Sequence, residues 1–174
     1  EIKNIFYWRN ITMKMFKKLM AIALVGVMAL SMLTGCAVTD SIKEKALRNA
    51  LGTAASIGLG TGKTATFKGD DDLDKVAKKA VENLTYADHI VPNVDKTKYA
   101  VACVEIKKST NTADEFEKGY ARELLTQLGQ SGFVAKEGTN KVGVKFFNLD
   151  EKAANKTTTH YYVVVVAEKN VTIS

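Results

Sequence analysis

Apolar residues in this chain fall first into one unbroken run and then into short periodic segments. The unbroken run, Leu19 to Gly35, holds 17 residues without a charge. After residue 40 the pattern becomes periodic. Ser41-Ile-Lys-Glu44 has the hydroxyl and carboxylate spacing of a capping box and predicts a helix to about Ala55. Its modest apolar face comprises Ile42, Ala46, Leu47, Ala50, Leu51 and Ala54. Gly58, Gly60 and Gly62 break that helix, so residues 56–63 read as a flexible joint. Thr64 to Phe67 is a short strand candidate. Asp70, Asp71 and Asp72 favour the positive end of a following helix. That helix is predicted from Leu73 to Tyr86, because Leu73, Val76, Ala77, Ala80, Val81 and Leu84 form one continuous face.

Ala87 to Lys96 reads as a loop. Tyr99 to Ile106 is a strand with apolar residues on both faces apart from Glu105, so both faces should be covered. Thr112-Ala-Asp-Glu115 is a second capping box. It opens a helix with Phe116, Tyr120, Ala121, Leu124, Leu125 and Leu128 on one face, ended by Gly129 and Gly132. Lys141 to Phe147 and His160 to Ala167 are strands, and Leu149 to Thr159 is a polar loop. So short a connection predicts an antiparallel pair. The expected fold is α+β: a small, mostly antiparallel sheet of three or four strands, covered by two or three helices. The expected order is helix, short strand, helix, strand, helix, strand, strand.

The apolar run has a different meaning. Lys14, Lys17 and Lys18 precede it, and small residues end it at Leu33-Thr34-Gly35-Cys36. A basic start, an apolar core and a small-residue cut site mark an export signal. A retained membrane anchor is the alternative, at the short edge of what spans a bilayer. The sequence Leu33-Thr34-Gly35-Cys36 closely resembles the lipobox of bacterial lipoproteins. That resemblance implies cleavage before Cys36 and a diacylglycerol on its thiol. Two acyl chains are what stable anchoring takes. The expected organisation is then an over-extended start at 1–12 and a signal peptide at 13–35. A lipidated N-terminus with helix and Gly-rich tether follows at 36–63, and one α+β domain at 64–174.

This division changes the charge reading. The whole chain carries 25 Lys+Arg against 19 Asp+Glu, a formal +6. Residues 1–35 hold five of the basic residues and one acidic residue, so the 139 residues from Cys36 onward carry only +2. A near-neutral domain has no electrostatic footprint for nucleic acid. Two cysteines exclude a disulfide-dense scaffold and a Cys-rich zinc site.

Candidate chemistry is sparse. Gly58-Leu-Gly-Thr-Gly-Lys-Thr64 invites a phosphate-binding loop, but Ile57 stands where the first glycine is required, so no nucleotide is expected. Cys103 lies mid-strand among Ala and Val and reads as a buried thiol. An exported hydrolase using Cys103 with His89 or His160 is a remote alternative. Two distant histidines give no metal spacing, and Asp70, Asp71, Asp72 and Asp74 lack the ligand order of a calcium loop. No catalytic residue, metal or cofactor is assigned beyond the lipid on Cys36.

Three segments carry a second resemblance. They are Leu73 to Tyr86 followed by Asp88-His89, Glu123 to Leu128 leading into Lys141-Val-Gly-Val-Lys145, and Tyr161 to Ala167. Together they resemble a trimmed domain of the CAP superfamily, the cysteine-rich secretory, antigen 5 and pathogenesis-related group. The resemblance implies a cleft with His89, Glu105 and Glu123, taking a metal or a small apolar ligand. The family's second histidine and its Gly-Glu-Asn run are not found before the Val-Gly-Val strand, so a degenerate cleft is implied. The leading expectation is a non-enzymatic lipoprotein on the extracytoplasmic face of a bacterial membrane. Its expected partners are membrane lipid through Cys36 and a wall component, a protein or a small apolar ligand.

Overall fold

A computed structural model describes residues 39–171. Residues 1–12, the signal segment and Leu33, Thr34, Gly35 and Cys36 lie outside the described residues. The elements are α1 (Asp40–Leu59), β1 (Ala65–Gly69), α2 (Asp71–Val81), β2 (Tyr99–Ile106) and α3 (Ala113–Phe116). A π-helical stretch, Glu117–Ala121, leads from α3 into α4 (Arg122–Gln130). The chain then forms β3 (Gly138–Ala153) and β4 (Lys156–Glu168). The class is α+β with a four-stranded sheet, in the order β1-β3-β4-β2. The sheet is mixed: β2–β4 and β3–β4 are antiparallel, while β1 runs parallel to β3. The parallel pair joins segments about 70 positions apart, with Phe67 opposite Asn140.

The sheet separates two apolar clusters. One face packs under α1, α3 and α4. Leu47, Leu51, Phe116, Leu124 and Leu128 are fully buried there against Ala100, Ala102, Val144, Val163 and Val165. On the other face α2 lays Leu73 and Ala77 over Val164 and Val166. Gly143 lets α2 sit this close, since a Cβ there would fall on the Leu73 carbonyl and the Asp74 amide. Asp74 fixes the crossing by accepting a 2.9 Å bond from the Val144 N–H, where β1 has ended.

Both sheet edges are covered, which removes the template an open edge offers to other strands. Along β1, Ser56 of α1 accepts a 2.8 Å bond from the Ala65 N–H. Gly52 approaches so closely that a Cβ would lie 3.0 Å from the Ala65 carbonyl oxygen. Along β2, Gln127 accepts from the Cys103 N–H at 2.9 Å and Ser131 donates to the Val101 carbonyl at 2.9 Å. Tyr120 accepts from the Lys107 N–H at 3.1 Å.

Several expectations need correction. The helix predicted to stop near Ala55 continues through Gly58 to Leu59, and its middle is part of the domain core. The helix residues 40–59 therefore belong to the domain rather than to a tether ahead of a domain starting at 64. Only the turn after α1 remains of the joint, with Gly60 at φ 94° and Gly62 at φ 80°. Ser41 and Glu44 do not form a capping box: Thr39 holds the cap position, and Glu44 reaches Arg48 at 3.8 Å. The second box is formed, with Thr112 and Glu115 bonding reciprocally. Asp70 caps α2 by accepting from the amides of Asp72 and Leu73. That helix ends at Val81 rather than Tyr86, and Asn83 follows at φ 64°, a left-handed conformation Asn tolerates. The polar segment 149–159 is not a loop. It extends β3 and β4 into a two-stranded arm that passes the last β2 pairing, Ile106 with Tyr161.

Candidate functional site

On the face shared with α2 the sheet is longer than the helix that covers it. Strand alternation places Cys103 and Glu105 of β2, Phe147 and Glu151 of β3, and His160 and Tyr162 of β4 on this face. His160 is held at both ring nitrogens. Nδ1 lies 2.8 Å from Glu105 and Nε2 lies 3.2 Å from Glu151. Tyr86, brought back by the segment after α2, stacks on the imidazole with ring centroids 4.5 Å apart. Tyr162 stacks with Phe147 at 5.3 Å. The His160 side chain is only 17% exposed.

A neutral imidazole has one N–H and can satisfy one carboxylate, whereas an imidazolium satisfies both. The hydrogen bond to Glu105, reinforced by Glu151, accordingly raises the His160 pKa above its ordinary 6.5. Burial pushes Tyr162 up to about 12. As an imidazolium bonded to both carboxylates, His160 has no lone pair for a metal or a substrate proton. Among the described residues no group of three or more His, Cys, Asp and Glu is arranged so that it could hold a metal ion.

The expected site residues are not joined by hydrogen bonds or ion pairs. His89 is exposed in the segment between α2 and β2 and makes no hydrogen bond or ion pair among the described residues. Glu105 pairs with His160 rather than with His89. Glu123 lies on α4, where it accepts from Gln127 at 3.2 Å. No hydrogen bond or ion pair joins any two of His89, Glu105 and Glu123. Cys103 is a free thiol whose pKa burial alone pushes up to about 12, and neither histidine bonds to it. A thiol so protonated is a poor nucleophile.

A concave surface lies elsewhere and was not anticipated. The last turn of α1, the π-helical stretch, the outer side of α4 and Phe133–Ala135 enclose a groove of about 1070 Å³. Gly58, Gly119 and Gly129 line it, and a Cβ at each would meet open space. Ile57 is 68% exposed and Val134 51%, so two large apolar side chains face solvent at its walls. Charge is confined to Glu117, Lys118, Arg122 and Glu123. Asn170 fixes one wall by bonding both to the Val134 N–H and to its carbonyl, at 2.9 and 2.8 Å. π-Helical insertions recur at functional sites because they displace one side chain from the regular helical face. The available sequence signal was Gly58 and Gly129, which read instead as helix breakers, while Gly119 went unremarked.

Comparison with protein families, with curated proteins and with solved structures finds no match to this chain.

Proposed function

We propose that this chain is an exported bacterial lipoprotein, anchored through diacylated Cys36, whose folded part is a non-enzymatic binding module. The observation that carries the reading is the Leu33-Thr34-Gly35-Cys36 sequence behind a basic, apolar leader, only three residues before the fold starts at Thr39. Ligand capture is assigned to the groove at the far end of α1. Its size and mostly apolar lining suit a small apolar ligand, and the few polar groups at its rim would set orientation. The His160 cluster offers no open chemistry, and the Cys103 thiol is protonated at neutral pH, so neither favours a hydrolase.

Cell fractionation tests the anchor. The native chain is expected in the membrane fraction with its leader removed, and Cys36→Ser in the soluble fraction or uncleaved without acyl label. A Cys36→Ser protein that still incorporates labelled palmitate would overturn the reading. The groove is tested with Gly58→Trp and Gly129→Leu, which fill open space. Both should abolish fluorescence enhancement of an apolar naphthalene-sulfonate dye while leaving the melting temperature near that of the parent. Unchanged dye binding in both variants would remove the groove from the proposal.

A further inference from the structure

At the opposite end of α1 a smaller pocket of about 200 Å³ opens between that helix and the β3–β4 hairpin. Asp40, Lys43, Lys108, Phe146, Asn148 and Tyr161 are among the residues that line it. Lys43 Nζ stands 6.0 Å from the Phe146 ring centroid, and Lys108 Nζ stands 5.6 Å from that of Tyr161. The aromatic faces hold each ammonium group by cation–π attraction without consuming its charge. Lys145 approaches Asp40 at 3.8 Å and offsets the one carboxylate at the pocket. Lys43 and Lys108 form no ion pair among the described residues. Ile42, one residue before Lys43, is 42% exposed.

Chain length limits how far this pocket can lie from the anchor. Asp40 lies four peptide steps after Cys36, and an extended chain spans them in at most ~14 Å. The groove is a helix length away, about 30 Å for the 20 residues of α1. With acyl chains on Cys36, the Lys43 and Lys108 end of α1 is therefore kept close to the headgroup layer.

We propose that the pocket between Lys43 and Lys108 takes the phosphate headgroup of an anionic lipid in the membrane that holds Cys36. This inference rests on the lipoprotein reading. Charge complementarity selects the occupant: two lysines without an ion pair among the described residues line a polar-lipped pocket, and basic side chains near an acylated residue supply a second membrane signal. An aromatic floor and an exposed Ile42 suit the boundary between headgroup and acyl chain. Since two acyl chains already retain the protein, the contact serves orientation: it holds the Asp40 end of α1 against the headgroups.

The test uses residues 39–174, which carry the whole described core, held on vesicles by an N-terminal histidine tag bound to a nickel-chelating lipid. Lysine acylation by a soluble active ester is followed by mass spectrometry. On vesicles containing phosphatidylglycerol, Lys43 and Lys108 should react about fivefold more slowly than on phosphatidylcholine alone, the equivalent of ~1 kcal/mol per lysine at an anionic surface. Lys63, beyond the other end of α1, should react equally on both. Equal rates at Lys43 and Lys108 on the two lipids, or equal protection of Lys63, would overturn the proposal. So would the same protection by glycerol phosphate in solution, which would mark a free-phosphate pocket. In Lys108→Glu, protection of Lys43 should fall; if it persists unchanged, the two lysines do not share a headgroup. Because the tag replaces the lipid, failure here leaves the Cys36 fractionation result standing, and failure of that fractionation leaves this result readable.

Discussion

The two faces of the sheet are closed by different means. Beneath α1, α3 and α4 the packing is predominantly apolar, with Leu47, Leu51, Phe116, Leu124 and Leu128 fully buried. The opposite face is covered by α2 alone, an 11-residue helix, and the sheet rows run past its end. There the closure passes to Tyr86, Phe147 and Tyr162 and to a histidine between two carboxylates. The first face is held by burial, which varies little with pH. The second depends on a close backbone approach at Gly143 and on charge at His160, so it is the side that small chemical changes reach.

The largest expected effect comes from Gly143→Ala. Its Cβ would overlap the Leu73 carbonyl, and neither partner is a side chain that can swing away. Overpacking against side chains costs about 1–3 kcal/mol, and lifting a helix should exceed that, at about 4 kcal/mol. Urea unfolding should show it, with new hydrogen exchange confined to α2 if the first face stays closed. A loss below 1 kcal/mol would mean that α2 does not bear on Gly143. Leu51→Ala probes the first face. A fully buried leucine should cost about 3 kcal/mol there through lost burial and a cavity. This loss should be the same at pH 6 and pH 9, unlike changes at the His160 cluster.

An intermediate effect is expected at the β2 edge. Gln127→Ala strands the Cys103 N–H, which the side-chain amide oxygen of Gln127 accepts at 2.9 Å. An unmet backbone donor in a part-buried site costs about 1–2 kcal/mol. Exchange of the Cys103 amide should accelerate accordingly, while the Val144 amide, held by Asp74 on the other side of the sheet, should not respond. A uniform rise at both would mean global rather than edge loosening.

Sequence periodicity captured what local contacts govern. The Thr112 and Glu115 box, the Asp70 cap and the antiparallel pairing of the last two strands are short-range features, and all are present. The Ser41 and Glu44 box had the same spacing yet did not form, because the helix begins at Asp40 with Thr39 in the cap position, which puts Ser41 inside its first turn. What periodicity could not supply was long-range partnership. The parallel β1–β3 pair has no local signature across 70 positions. The segment 149–159 looks like a loop because it is polar on both sides, as a two-stranded extension beyond β2 must be. At the candidate sites the same limit applies. Glu105 was visible as the one charge in an apolar strand, but its partner His160 lies in another strand 55 residues on. The groove was hidden because its glycines resemble breaks, whereas Gly58 and Gly129 lie inside helices that need no side chain there.

The smallest effect discriminates the two faces most sharply. Glu105 and Glu151 approach His160 from β2 and β3, while Tyr86, Tyr162 and Asp88 surround the same cluster. Because the folded-state pKa of His160 is raised above 6.5, its charged form stabilises the fold. That contribution is fully present below 6.5 and is lost as pH rises through the folded-state value. In His160→Gln one carboxylate keeps a donor and the titration disappears. The parent should therefore exceed the variant in melting temperature at pH 6, with the gap closing between pH 6.5 and pH 9. Deprotonation removes the donor facing Glu151, the longer of the two bonds at 3.2 Å, so the arm and the Tyr86 segment should loosen first. Exchange at Thr158 and Tyr86 would rise with pH beyond the intrinsic rate, while Leu51 and Leu124 stay protected. A gap constant across that range would show that His160 contributes by stacking on Tyr86 rather than by charge, and the second face would then be closed by packing as the first is.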